Sequence, residues 1–358
     1  MKSLIVETKK SKKFDPIIAV TGMHLQKIHG YTYNEIKKDF KNIKIFKFVN
    51  HSYKDSMDII LSKTIILFNK VLRLINPDLV VIHGDRSETL AASINCNLNN
   101  ILIAHIEGGE VSGTVDESIR HATTKLSHIH FVSNNKAKNI LIKMGEVKKN
   151  IYIIGSPEVD IMIKKNLPSF QDLMSRYNFK FNKYSIFLFH PVTTLEKKIV
   201  INQCKILFNV LKKTSNNFVI IYPNNDTFSD IIFKYINKLK KSTRFKILPS
   251  LRFEYYLTLL KNSEFIIGNS SSGIREAPIY GIHTINLGNR QKNRTGNKFI
   301  INLKFNESAI LKKIKNIKNY KSKKIFSFGR GDSAKKFIKT LNNKNFWKTD
   351  KQKYFSQI

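Results

Sequence analysis

Cysteine is nearly absent from this chain, with only Cys96 and Cys204 present. Two are too few for a disulfide framework and lack metal-ligand spacing, so no metal site is expected. No apolar run approaches the roughly 18 residues that a membrane span needs. The stretch Ile65–Ile75 is too short and carries Lys70 and Arg73. Met1 to Lys13 has charges but no apolar signal core of the usual length. Repeats with periods of roughly 20 to 50 residues are missing as well. These absences predict a reducing, cytoplasmic setting and no membrane partner. Acids are also scarce: Asp+Glu number 26 against 62 Lys+Arg, a net charge of +36. Such a balance can mark nucleic-acid or anionic-membrane binding. Here the lysines are scattered over the whole length, among many Asn and Ile, as low-GC coding tends to produce. No RNA- or DNA-binding motif accompanies them. The charge is therefore read as a solvated surface, no nucleic-acid partner is expected, and an anionic substrate still benefits from the field.

At 358 residues, 42% apolar, the chain can bury two cores. Short β-branched runs alternate with amphipathic stretches, the pattern of parallel sheets with helical crossovers. The first series of strands is read at Ile17–Val20, Ile43–Phe48, Leu79–His83, Ile101–Ile106, Ile129–Val132 and Ile151–Ile154. Helical patterns lie between them at Tyr53–Ile75, Ser87–Asn97, Ser118–Lys125 and Asn135–Met144. Lys164 to Lys183 reads as a polar connector. A second series follows at Ser185–Phe189, Phe218–Tyr222, Phe245–Leu248, Phe265–Ile267 and Thr284–Leu287, with helices at Leu195–Lys213 and Arg252–Lys261. The expected fold is α/β, with two Rossmann-like domains facing across a cleft. Their expected spans are 1–163 and 164–335, with a helix and tail over 336–358 that pack back on the first domain.

The unusual polar clusters directly follow strands, where open α/β sheets bind ligands. Gly268-Asn269-Ser270-Ser271-Ser272-Gly273 precedes a helix read at Ile274–Tyr280. Small residues there let the backbone approach an anion, and a diphosphate is its natural occupant. Glu276, a helical turn further in, could reach sugar hydroxyls. Arg290, Lys292 and Arg294 follow the next strand, and arginine suits phosphate because its planar fork donates two bonds. In the first half, Asp85 and Glu88 follow one strand, Glu107 and Glu110 another, with Asp116, Glu117, Arg120 and His121 soon after. Neighbouring carboxylates raise one another's pKa, one route to an acid and a base near neutral pH. His190 and His24 also stand at strand ends. A lone histidine is more often structural, so each stays open in role.

Together these segments resemble the hydrolysing UDP-N-acetylglucosamine 2-epimerases of the sialic- and legionaminic-acid pathways. The resemblance rests on Thr21-Gly22-Met23-His24, His83-Gly84-Asp85-Arg86, His105 to Glu110, and Asp116 to His121. In the second half it rests on His190-Pro191-Val192-Thr193, Pro223-Asn224-Asn225-Asp226, Asn269 to Pro278 and Gly288-Asn289-Arg290-Gln291. It spans roughly Phe14 to Asp332 and implies a GT-B architecture, a homo-oligomer (dimer or tetramer), and a reaction without metal or other cofactor. UDP is eliminated from a UDP-sugar to leave a glucal, and water then adds to give the free 2-epimeric sugar. By motif, the resemblance makes Asp85, Glu107 and Glu117 the acid/base carboxylates and His190 their counterpart from the second domain. It places His24, Arg120, Asn224, Ser270, Ser271, Ser272, Gly273, Glu276 and Arg294 against the substrate. Which carboxylate takes the C2 proton stays open, as does the particular UDP-acetamido sugar.

Non-hydrolysing epimerases resemble the chain too, but carry a His-Arg-Arg-Glu-Asn-like segment where His190-Pro191-Val192-Thr193-Thr194 stands. Glu107 is followed by Gly-Gly-Glu, as in the hydrolysing group. A GT-B glycosyltransferase would share the diphosphate loop but needs fewer acids. A nucleic-acid binder would show steep salt dependence and no turnover. One departure stands at the start: the family opens with a strand and a Gly-Thr-Arg-like turn before a helix. Leu4–Val6 could be a strand, but the ten residues between it and Ile17 are short for a parallel crossover and read instead as the end of that helix. The first domain is therefore expected to lack its first strand, with in-frame upstream codons for it or, failing those, a damaged copy.

Overall fold

The computed structural model describes residues 1–52, 55–112, 114–164, 166–224, 226–292, 294, 297, 299–317 and 323–354. Asn225, and Tyr53 at the start of one helical reading, lie outside them. The chain forms two compact units. Unit 1 holds 1–111, 116–163 and 328–358, and unit 2 holds 112–115 and 164–327.

Unit 1 runs α1 (Lys2–Lys10), β1 (Ile17–Val20), α2 (Tyr33–Asp39), β2 (Lys44–Lys47), α3 (Met57–Ile75), β3 (Leu79–His83) and α4 (Ser87–Leu98). It continues with β4 (Leu102–Ile106), α5 (Val115–Leu126), β5 (Ile129–Val132), α6 (Asn135–Lys143), β6 (Ile151–Ile153) and α7 (Pro157–Met162). All its strand pairs are parallel, in two pieces: β1 with β2, and β3-β4-β5-β6 in that order. Phe46 and Phe48 join the core made by Phe68, Val71 and Leu72 of α3 and Ile82 of β3, so the two pieces share one apolar interior. Leu4 of α1 is buried against β4 and β5 in a second core, and Leu4–Val6 is thus part of a helix and not a strand. Gly22 has φ +65, a backbone conformation that favours glycine, and the Glu88 carboxylate stands beside it.

Unit 2 runs α8 (Phe170–Tyr177), β7 (Ser185–Leu188), α9 (Lys197–Lys213), β8 (Phe218–Ile221), α10 (Ser229–Asn237), β9 (Phe245–Leu248) and α11 (Phe253–Lys261). Then come β10 (Phe265–Gly268), α12 (Ser272–Arg275), α13 (Ala277–Tyr280), β11 (His283–Leu287), β12 (Ile300–Leu303) and α14 (Glu307–Asn316). Its sheet is continuous and parallel, in the order β9-β8-β7-β10-β11-β12. That is the doubly wound order, with its switch point between β7 and β10. Gly268 makes the switch possible: at φ +144, an added Cβ would lie 1.9 Å from the Leu188 carbonyl oxygen.

Three sequence readings are corrected here. The connector 164–183 contains α8, because Ser169 and Asp172 form a reciprocal capping box. Phe170, Leu173, Met174 and Tyr177 then recur at helical spacing and feed the unit 2 core. The helix read at Ile274–Tyr280 is two single turns, α12 and α13, divided at Glu276, since Pro278 lacks the N–H that would continue the first. The return to unit 1 comes at Phe328 rather than after 335. There the Ser156 amide donates to the Phe328 carbonyl, and Gly329 crosses Gly155 too closely for side chains. A last helix, α15 (Ser333–Leu341), packs on α1 and α7. The Asp160 carboxylate accepts from its Ser333 and Ala334 amides at 2.9 and 2.8 Å, an N-cap supplied from α7.

Candidate active site

In unit 1 the acids converge at the carboxyl ends of β3 and β4. The register pairs His83 with Ile106, and the Gly84 amide extends it by donating to the Ile106 carbonyl at 3.1 Å. That register sets Gly84 opposite Glu107, with Asp85 one residue further along the β3 loop, so both carboxylates stand just beyond adjoining strand ends. His105 fastens the arrangement from beneath. Its Nε2 donates to the Gly84 carbonyl at 2.8 Å, which leaves Nδ1 to accept from the Thr124 hydroxyl at 3.1 Å. Burial pushes the His105 pKa down to about 3, so this strut is neutral.

Arg120, 2% exposed on α5, donates through Nη2 to the Asp85 carboxylate and through Nη1 to the Glu110 carbonyl at 2.9 Å. Glu110 in turn accepts from the Ser133 hydroxyl at 3.1 Å. Arg120 thus ties the β3 loop to the β4 loop. Three residues earlier on α5, Glu117 lies 3.4 Å from His121, one helical turn on. Glu107 has φ +67, an uncommon value for a residue with a side chain. Its carboxylate lies 3.1 Å from His83 Nε2. His24 sits apart, exposed on a short turn after β1, where it contacts the Thr32 hydroxyl at 2.7 Å.

In unit 2 the site forms at the switch point. The His190 amide donates to the Asn269 side-chain oxygen at 2.7 Å, and the Asn269 amide donates back to the His190 carbonyl at 2.8 Å. His190 Nδ1 accepts from the Asn224 amide at 3.2 Å, so its proton resides on Nε2. Asn224 thereby acts on the ring through its backbone. The serine loop is internally organised: the Ser270 hydroxyl accepts from the Ser272 amide, and the Ser272 hydroxyl contacts Tyr256. Ser271 stands half-buried between them. Gly273 has a packing reason, since an added Cβ would lie 2.5 Å from the Thr284 methyl group.

The basic segment beyond β11 folds onto the same loop. Arg290 and Gln291 both donate to the Asn269 carbonyl, at 3.3 and 3.1 Å. Arg294 donates to the Gln291 side chain at 2.8 Å, so guanidinium groups gather beside the three serines. Glu276 is buried and faces Tyr256 and Tyr280, whose phenols are pushed up by burial first and by that carboxylate second.

Tyr256 and His83 had not been singled out. Tyr256 gives no local signal because it lies on α11, before the loop that it touches. His83 was quoted as a strand end, but its pairing needs the register to be known. The two thiols do not contribute, since Cys96 and Cys204 are buried and pushed up to about 12. Among the described residues no group of three or more His, Cys, Asp and Glu is arranged to hold a metal, and no helix is long and apolar enough to cross a membrane.

Comparison with known proteins agrees with this architecture. The family described as UDP-N-acetylglucosamine 2-epimerase matches residues 6–342. A Neisseria meningitidis protein named UDP-N-acetylglucosamine 2-epimerase is 39% identical over 363 aligned positions, which cover all of this chain and 95% of that one. A Legionella pneumophila UDP-N,N'-diacetylbacillosamine 2-epimerase (hydrolyzing) is 34% identical, with 87% and 83% covered. Among solved structures, a UDP-GlcNAc 2-epimerase from Neisseria meningitidis bound to UDP-GlcNAc superposes with a TM-score of 0.79 at 20% identity, with 95% of each chain covered. The Methanocaldococcus jannaschii enzyme, in complex with UDP-GlcNAc and UDP, gives 0.72 at 21% identity, with 91% and 99% covered. These likenesses in structure show the same GT-B class of two Rossmann-like units. With the family match running over most of its length and relatives above 30% identity, the chain belongs to the UDP-N-acetylglucosamine 2-epimerase family.

Proposed function

We propose that this epimerase hydrolyses its substrate, converting UDP-N-acetylglucosamine or a related UDP-acetamido sugar to UDP and the free 2-epimeric sugar. The observation that carries this reading is the pair of strand ends in unit 1: Asp85 and Glu107 follow the adjoining ends of β3 and β4, and Arg120, three residues after Glu117 on α5, holds Asp85. A base takes the C2 proton as the C1–O bond to UDP breaks, which leaves a glucal. Water then adds, its hydroxyl to C1 and its proton to C2 from the opposite face. Such a sequence needs placed carboxylates for two proton transfers and cationic or amide donors for the departing diphosphate. Asp85, Glu107 and Glu117 are assigned the first task, with His190, whose Nε2 bears the proton, as a further donor. Ser270, Ser271, Ser272 and Arg294 are assigned the diphosphate, Glu276 the ribose, and Arg120 and His24 the sugar side.

Two relatives whose names carry "hydrolyzing", from Legionella pneumophila and Campylobacter jejuni, each at 34% identity, support the subtype. So does His190-Pro191-Val192-Thr193-Thr194, which lacks the His-Arg-Arg-Glu-Asn-like pattern of the non-hydrolysing group. Their substrate makes UDP-N,N'-diacetylbacillosamine the second compound to offer. The test supplies each UDP-sugar in deuterated water and follows UDP and sugar together. Release of UDP with deuterium at C2 of the free product is expected. An intact UDP-sugar epimerised in place would overturn the hydrolysing reading and favour the non-hydrolysing class.

A further inference from the structure

Glu107 stands in an unusually constrained turn. Its φ of +67 costs roughly 1–2 kcal/mol for a residue with a side chain, a strain that persists only where the surroundings over-determine it. Those surroundings are visible. The Glu107 amide donates to the Phe131 carbonyl at 2.9 Å. Behind it, a Cβ on Gly108 would lie 3.0 Å from both His105 Nδ1 and the Thr124 hydroxyl. On Gly109 it would lie 2.3 Å from the Ala137 carbonyl oxygen. The backbone is therefore locked, and the freedom left to the carboxylate is rotation of its own side chain.

His83 meets that side chain. It is the last residue of β3, its Nε2 is 3.1 Å from Glu107 Oε2, and the two side chains are 23% and 9% exposed. The contact is close without being aligned as a hydrogen bond, and Nε2 is buried with no other partner among the described residues. Contacts of this kind commonly tighten once substrate is bound.

Taking Glu107 as one of the acid/base carboxylates, as the proposed function has it, we propose that His83 is its positioning residue: the imidazole holds the carboxylate in one rotamer. Other ionisable groups face the pair. The Met1 α-amino group is within electrostatic reach of Glu107 and is also faced by Glu158 and Asp160. His105 is within reach of His83 and is itself faced by Arg120 and His130. Substitution of His83 leaves all of these in place.

The test combines turnover with a measurement that needs no turnover. In a cycle of His83→Asn, Glu107→Gln and the double variant, His83→Asn alone is expected to lower kcat about 100-fold with KM within about threefold. The double variant is expected to be no slower than Glu107→Gln, because the histidine acts through that carboxylate. Additive losses, or a loss in KM with kcat intact, would overturn the proposal. His83→Gln, which keeps a donor of similar reach, guards against misfolding and should recover part of the rate. Independently, crystal structures of the parent protein and of His83→Asn are compared. Glu107 should hold one rotamer in the parent and leave it in the variant, and an unchanged carboxylate would overturn the pairing. If the parent turns over no UDP-sugar, the proposed function falls, while the structures still decide the pair.

Discussion

The two units are variations on one parallel α/β plan, and they differ most at the middle of the sheet. In unit 2 the six strands are continuous, and β7, β8, β10 and β11 are buried at every position. In unit 1 the pairing is broken between β1-β2 and β3 to β6. There β4 and β5 are buried throughout, whereas β3 and β1 are largely half-exposed and Ala19 is exposed. A paired interior strand and an unpaired one cost the molecule differently, because each unpaired backbone group must find water. Unit 2 gathers its site at a fully paired switch point. Unit 1 builds its site where β3, an edge of its four-stranded sheet, meets the buried β4, and braces it with side chains.

That difference can be pressed experimentally. The largest effect should come from Glu107→Gln, expected to lower kcat by about 10² to 10⁴ while UDP affinity, which the proposed function assigns to unit 2, stays the same. A parallel loss of UDP affinity in calorimetry would break the division of labour. Next is Gly268→Ala, which drives a methyl group into the Leu188 carbonyl at the switch point. It should cost about 2–4 kcal/mol in denaturant titration, with unit 2 unfolding first.

Acid should separate the units by a smaller amount per step. His105 is held neutral down to about 3 by burial, against an ordinary 6.5 in the unfolded chain. Below about 6.5 the unfolded chain binds a proton that the folded chain refuses, so stability falls as pH drops towards 3, by about 1.4 kcal/mol per pH unit at most. Burial also lowers His128 and, despite its Glu146 partner, His130. Strands β7, β8 and β10 contain no histidine. Hydrogen exchange should therefore show amides of β4 and β5 losing protection in acid before those of β7, β8 and β10. The smallest effect is expected of Asp160→Ala, about 1 kcal/mol from the lost cap of α15, read as a lower Tm.

Much of this was legible beforehand where local chemistry suffices. The β-branched runs located every strand but β12, whose Ile300–Leu303 lies at the sheet edge and is only partly buried, and the polar clusters at their ends marked the loops that carry the site. The short helices α2 and α7, and α10 and α14, have no counterpart among the sequence readings, and the connector reading misses α8, because its helix rests on a capping box within a polar stretch. The site residues were found by type and position, but their relations were not. The motif marked Arg120, but not its grip on Asp85. Asn224 positions His190 through its backbone amide, and Gly273 gives close packing against Thr284.

What the sequence determined by itself is the class of fold and the chemical inventory: parallel α/β units, carboxylates in the first half, serines and arginines in the second. Period and turn chemistry are local properties, so a linear chain can display them. What only the tertiary structure decided is which partner each group acquires: His83 at Glu107, Asn269 at His190, Tyr256 at Ser272. Those pairings depend on strand register and loop closure between distant segments, and no spacing along the chain encodes either.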